Sequence, residues 1–181
     1  WFNEKWLKRI DKNVEDSTGL PNALYTDPEF LKFENELLLP SVWILAGFVH
    51  QVPNVGDVAP VTVAEKPLIL LHNENDEILV FHNVCRHRGG KLVNSAYTEV
   101  KVLVCPNHSW TYGLDGKIRA RPHFFGGEQH DIHKPGKGPQ GLKAARSAVW
   151  HDLVFINLDG KAGPFDQYIK PMADRLKDYD L

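Results

Sequence analysis

Cysteine and methionine are scarce in this chain: two and one, respectively, in 181 residues. A chain of that length buries enough surface to hold a core without disulfide staples. Charge of one sign is missing too, since 21 Lys and Arg against 23 Asp and Glu leave a formal net charge of −2. That balance gives no electrostatic case for nucleic acid or an anionic membrane. The longest apolar run, LLLPSVWILAGFV at 37–49, is interrupted by a proline and falls short of the ~20 residues a membrane helix needs. No secretory h-region opens the chain, so the expected setting is cytoplasmic. Internal repeats and low-complexity tracts are absent. With 43% hydrophobic and 24% charged residues, the composition is that of an ordinary globular domain.

The apolar pattern changes period along the chain. WFNEKWLKRIDK places Phe2, Trp6, Leu7 and Ile10 at helical spacing. A sharper start follows, with Asp27 as N-cap and Pro28 at the first helical position before EFLKFENELL. From about Ser41 the short runs SVWILAGFV, PVTVA, PLILLH, EILVFHN and KVLVC read as strands between turn clusters such as PNVGD and NEND. TYGLDGKIRA predicts a hairpin turning at Asp115-Gly116. Residues 121–141, with Gly126, Gly127, Gly136, Gly138 and Gly141, read as a long loop, and LKAARSAVW and LVFINL as two further strands. The last stretch predicts a helix with Phe165, Ile169, Met172 and Leu176 on one face, broken or kinked at Pro171. It lacks a C-cap signal, the expected look of a domain cut from a longer polypeptide.

Both cysteines lie in strand-end loops beside a histidine: Cys85-x-His87 in CRHRGG and Cys105-x-x-His108 in CPNHSW. One disulfide would leave the histidines unexplained, and it suits a reducing compartment poorly. Two soft thiolates and two imidazoles instead describe a metal site. Zinc takes such a set in one tetrahedron, but the usual order pairs Cys with Cys and His with His. In a Rieske 2Fe–2S cluster one iron takes both cysteines and the other both histidines. Loops that each supply one of each would then complete both irons and be locked together twice.

Around these ligands the chain resembles the α subunits of Rieske non-haem iron oxygenases, also called ring-hydroxylating oxygenases. FHNVCRHRGGKLV is similar to their first cluster loop, and LVCPNHSWTYGLDGKIRARP to the second loop with its hairpin. YTDPEFLKFENELLLPSVWILAGF resembles their entry helix and first strand, and GLKAARSAVWHDLVFINLDG the closing strand pair. The resemblance covers nearly everything from Tyr25 to Leu181. It implies a mainly β fold: a Rieske-type antiparallel β-sandwich with a small cluster-binding subdomain and short terminal helices. The implied division is a helical segment at 1–40, a Rieske domain at 41–160 with loops at 84–91 and 105–112, and a helix at 161–181 leading towards a catalytic domain.

Carried over, the resemblance makes Cys85 and Cys105 ligands of the inner iron and His87 and His108 ligands of the exposed, redox-active one. Trp110 stands where the family keeps a tryptophan beside the cluster, and Tyr112 where it keeps a tyrosine. Ser109 replaces the usual glycine, and Asn107 the usual tyrosine. High-potential Rieske proteins carry a second cysteine pair and a serine at the position of Trp110, both absent here. Fewer hydrogen bonds to sulfur imply a potential in the lower part of the ~−150 to +300 mV Rieske range.

The implied function is single-electron relay, from a reductase or ferredoxin to a mononuclear Fe(II) held elsewhere, in a catalytic domain or a neighbouring subunit of a homotrimer. This chain itself would hold no catalytic residue. A free-standing Rieske ferredoxin and a structural zinc-binding module are the alternatives. EQHDIH, with Glu128, His130, Asp131 and His133, has the residue types of the family's mononuclear site without its spacing, and reads as a surface loop.

Other residues carry blander expectations. His82 is a sheet histidine or a partner of the cluster loop, and His50, His72 and His151 border strands without a catalytic part. Arg86 and Arg88 are surface charge, or tune the cluster or dock a partner. Trp43 is core. Gly89 and Gly90 let the chain turn tightly. Trp1, Phe2 and Trp6 would be exposed where they normally pack on the catalytic domain.

Overall fold

A run such as PLILLH is apolar throughout because both faces of its strand are buried. In the computed structural model, which describes residues 4–124 and 141–180, that strand is β3 (Lys66–His72), the centre of an antiparallel sheet between β2 (Val58–Val63) and β4 (Ile78–His82). Leu68 and Leu70 join one core with Val52, Val154 and Ile156. Ile69 and Leu71 join another with Phe81, Leu103 and Tyr112. Alternate residues of an extended chain face opposite ways, so one strand feeds two cores.

Each core is closed by a further three-stranded antiparallel sheet. The first has the order β1 (Ile44–Phe48), β9 (Leu153–Asn157), β8 (Arg146–Trp150); the second is β5 (Val102–Val104), β6 (Thr111–Gly113), β7 (Ile118–Ala120). The predicted hairpin is the β6–β7 turn. Gly116 there has φ +77° and lies so close to Phe81 that a Cβ would sit 2.4 Å from its ring. The β2–β3 turn carries no Asn-Gly signal, yet Ala64 and Glu65 both take positive φ, at 47° and 60°.

Helices flank this β framework. They are α1 (Glu4–Ile10), α2 (Ala23–Thr26), α3 (Pro28–Phe33), α4 (Leu39–Ser41) and α5 (Phe165–Leu176). Asp27 caps α3 as expected, its carboxylate accepting the Glu29 N–H at 2.9 Å. Between α3 and α4 the helix widens to a π-type turn over Glu34–Leu38, before Pro40, which has no N–H for the carbonyl four residues back. Trp43 is core, with its indole N–H donating to the Gly163 carbonyl at 3.0 Å and Phe165 edge-on at 5.1 Å.

Two helix expectations need correction. Pro171 does not break α5, which runs unbroken from Phe165 to Leu176; the Gln167 carbonyl that its missing N–H leaves over belongs to an exposed residue. Met172 is not on the buried face but 48% exposed, while Ile169 is buried. Trp6 is half-buried rather than exposed, with Arg9 over its ring at 5.0 Å. Trp1 and Phe2 lie outside the described residues. Among the described residues no helix is long and apolar enough to cross a membrane.

Candidate metal centre

Two short loops leave β4 and β5 and close on themselves. The Cys85 N–H donates to the Gly90 carbonyl at 2.7 Å, and the Gly89 N–H donates to the Cys85 carbonyl at 3.0 Å. In the second loop the Cys105 N–H donates to the Trp110 carbonyl at 2.9 Å, and the Ser109 N–H to the Cys105 carbonyl at 3.0 Å. Asn83 anchors the first loop, its side-chain oxygen accepting the Leu92 and Val93 N–H groups at 2.9 Å each. The loops pack together where Gly90 meets Asn107: a Cβ on Gly90 would lie 2.5 Å from the Asn107 amide nitrogen.

The predicted ligands fall into an inner and an outer pair. Cys85 and Cys105 are free thiols, each 2% exposed. His87 is half-buried and His108 exposed, with ring centroids 4.7 Å apart. Burial pushes the Cys85 thiol up, and Cys105 alongside adds to it against the hydrogen bonds from Tyr112 and the His87 backbone. Only a bound cation would make a thiolate comfortable in such surroundings. Burial, then His108 and Arg88, holds His87 below the ordinary histidine range, which keeps the neutral imidazole that ligates metal.

The residues present fit a two-iron cluster. His87 Nδ1 is buried without a hydrogen-bond partner, a costly state for a ring nitrogen unless something coordinates it. Among the described residues no three of His, Cys, Asp or Glu gather round one point. Each iron of a Rieske cluster asks for two protein ligands, and the buried thiol pair and the outer imidazole pair offer two each.

Tyr112 ties the loops together from below. Its hydroxyl accepts the Arg86 N–H at 3.0 Å and lies 3.2 Å from Cys85 Sγ. With that lone pair used, its own proton can point at the sulfur. Burial and the Cys85 contact push its phenol well above the ordinary tyrosine range, so the proton stays. One hydrogen bond to sulfur is therefore present even though Trp110 offers none.

Trp110 is 2% exposed and stacks on His87 with centroids 4.9 Å apart and planes 13° from parallel. Ser109, in the glycine position, adopts φ 57°, backbone that glycine takes more cheaply. Arg86 and Arg88 are exposed at the rim. His50 pairs with Asp152 and His72 with Asp76, away from the loops. His82 is half-buried and its Nε2 has no hydrogen-bond partner. Glu128, His130, Asp131 and His133 lie outside the described residues.

Arg121 escaped the sequence reading. It is 0% exposed, with its guanidinium carbon 4.3 Å from the Phe124 ring centroid and 5.9 Å from that of Trp110. In RARP it looks like surface charge, and no local pattern marks it as buried.

Residues 42–126 match the family model described as Rieske [2Fe-2S] domain. The glycine betaine monooxygenase oxygenase subunit of Chromohalobacter salexigens is 32% identical over 163 residues, 90% of this chain and 35% of that protein. The anthranilate 1,2-dioxygenase large subunit of Acinetobacter baylyi is 33% identical over 77% of this chain and 29% of its own length. Naphthalene 1,2-dioxygenase from Rhodococcus sp. superposes with a TM-score of 0.80 at 25% identity, over 96% of this chain and 38% of that one. A quaternary ammonium Rieske monooxygenase, at 22% identity and a TM-score of 0.78, shares the fold over 98% of this chain and 47% of its own. The chain thus spans less than half the length of each of these proteins, from 29% to 47%.

Proposed function

We propose, for a chain that belongs to the Rieske domain family of oxygenase α subunits, that it is the electron-relay part of a mono- or dioxygenase. In this reading it takes single electrons from a reductase or ferredoxin and passes them to a mononuclear iron that activates O2 outside this chain. The two loops hold a 2Fe–2S cluster, Cys85 and Cys105 on the inner iron, His87 and His108 on the outer. When bound, that cluster supplies a one-electron couple. The observation that carries the reading is the inner-thiol, outer-imidazole layering around the unpartnered His87 Nδ1.

The residues then have distinct tasks. Cys85 and Cys105 keep the sulfur side dry. His108 opens the other side to a partner, and Tyr112 offers its proton to Cys85 Sγ. Trp110 covers His87 instead of supplying a hydroxyl, which supports a midpoint in the lower part of the ~−150 to +300 mV Rieske range. We further propose the division into a helical segment at 1–40, the Rieske domain at 41–160 and a helix at 161–181 leading to a catalytic domain. A neighbouring subunit of a homotrimer as acceptor belongs to the same proposal, as does a cytoplasmic setting. A solved quaternary ammonium Rieske monooxygenase is described as using inter-subunit electron transfer, which supports that acceptor.

The test is analysis of the purified chain for iron, zinc and acid-labile sulfide, with EPR after reduction. We expect about two irons and two sulfides per chain and a histidine-ligated cluster signal. Zinc alone, or no sulfide after anaerobic reconstitution, would overturn the reading.

A further inference from the structure

We infer that Arg121 is a positioning residue for the metal centre, its buried guanidinium holding Trp110 in the plane that fixes the His87 imidazole. A chain of ring contacts leads from one to the other. Arg121 lies 4.3 Å from the Phe124 ring centroid and 5.9 Å from that of Trp110. Phe124 meets Trp110 edge-on at 5.3 Å and 74°. Trp110 lies on His87, at 4.9 Å and 13°. The last ring carries the buried Nδ1 that has no hydrogen-bond partner, so apart from a bound metal its orientation is set by ring contacts, the Trp110 stack and the His108 edge at 4.7 Å.

Filling space does not account for Arg121. A fully buried guanidinium is costly to desolvate, and apolar side chains of similar volume fill such sites at least as well. Besides the hydrogen bonds and ion pairs open to any guanidinium, it offers a planar cation attracted to aromatic faces, and two such rings lie beside it. That attraction resists rotation of Trp110, and a fixed Trp110 resists rotation of His87. Orientation of a ligating imidazole is the kind of property outer partners control at metal centres.

The inference rests on the cluster being held by these loops, and the test separates the two. The 181-residue chain, its Arg121→Met and Arg121→Lys variants, Trp110→Leu and the double variant Trp110→Leu/Arg121→Met are loaded with cluster. Each is assayed for iron and sulfide and measured by EPR after reduction. Arg121→Met and Arg121→Lys should keep parental iron and sulfide while their g-values shift and their lines broaden. In the Trp110→Leu background, Arg121→Met should change nothing further. Spectra superimposable on the parent, or an Arg121→Met change just as large without Trp110, would overturn the inference. Arg121→Lys, which keeps the charge, carries the test if the methionine variant does not fold. A parent chain without iron and sulfide would instead overturn the reading of the loops themselves.

Discussion

The loops Cys85–Gly90 and Cys105–Trp110 are built on one frame from different residues. In both, the cysteine N–H donates to the carbonyl five residues on and the cysteine carbonyl accepts from the N–H four residues on. In both, that fourth residue takes positive φ: Gly89 at 78° and Ser109 at 57°. The histidine is two residues past the cysteine in one loop and three in the other, and one ring ends half-buried while the other is exposed. Backbone hydrogen bonds define the loop, and side chains decide what it presents and at what conformational cost.

The largest effect should come from removing the inner ligands. If the loops are equivalent, Cys85→Ser and Cys105→Ser each lose the cluster, with iron and acid-labile sulfide near background; a variant that kept both would show one loop to be dispensable. Next is the tie between them. Tyr112→Phe strands the Arg86 N–H and removes the bond to sulfur. It should cost about 1–2 kcal/mol in denaturant melts and shift the midpoint to more negative values in a redox titration.

The left-handed positions should respond with opposite signs. Gly89→Ala, which has open space for a Cβ but the wrong φ, should lose about 1–2 kcal/mol. Ser109→Gly should gain about 0.5–1 kcal/mol, the strain relieved less the entropy glycine adds. Equal signs in urea titrations would mean that the common frame does not set these costs.

The smallest effect concerns His82, on the strand leading into the first loop. Burial, with Lys143 and Lys66 adding to it, holds this imidazole below the ordinary histidine range. Above pH ~6.5 folded and unfolded forms are both neutral and the residue contributes no slope. As pH falls through that value the unfolded chain takes up the proton first, so stability drops with acid. His82→Gln should flatten the change in urea midpoint between pH 7.5 and 5.5 by a small margin; an unaltered slope would remove His82 from the account.

Much of this was legible locally. The apolar run of EILVFHN, the Asp27-Pro28 start and the Asp115-Gly116 turn are each carried by neighbouring residues, so their patterns read directly. The Ala64-Glu65 turn did not announce itself, because its positive φ values are imposed by the strands it joins. Pro171 read as a break, whereas α5 runs through it beside an exposed carbonyl. Arg121 went unmarked, since burial of a cation depends on rings that fold over it.

What the linear order settled by itself is the pairing of one thiol with one imidazole in each loop, because residues two or three apart are neighbours in any fold. Only the tertiary structure decided that both thiols face inward, that Tyr112 reaches across to Cys85, and that a buried guanidinium lies beside the Trp110–His87 stack. Those contacts join residues far apart in the chain, and packing, not spacing, brings them together.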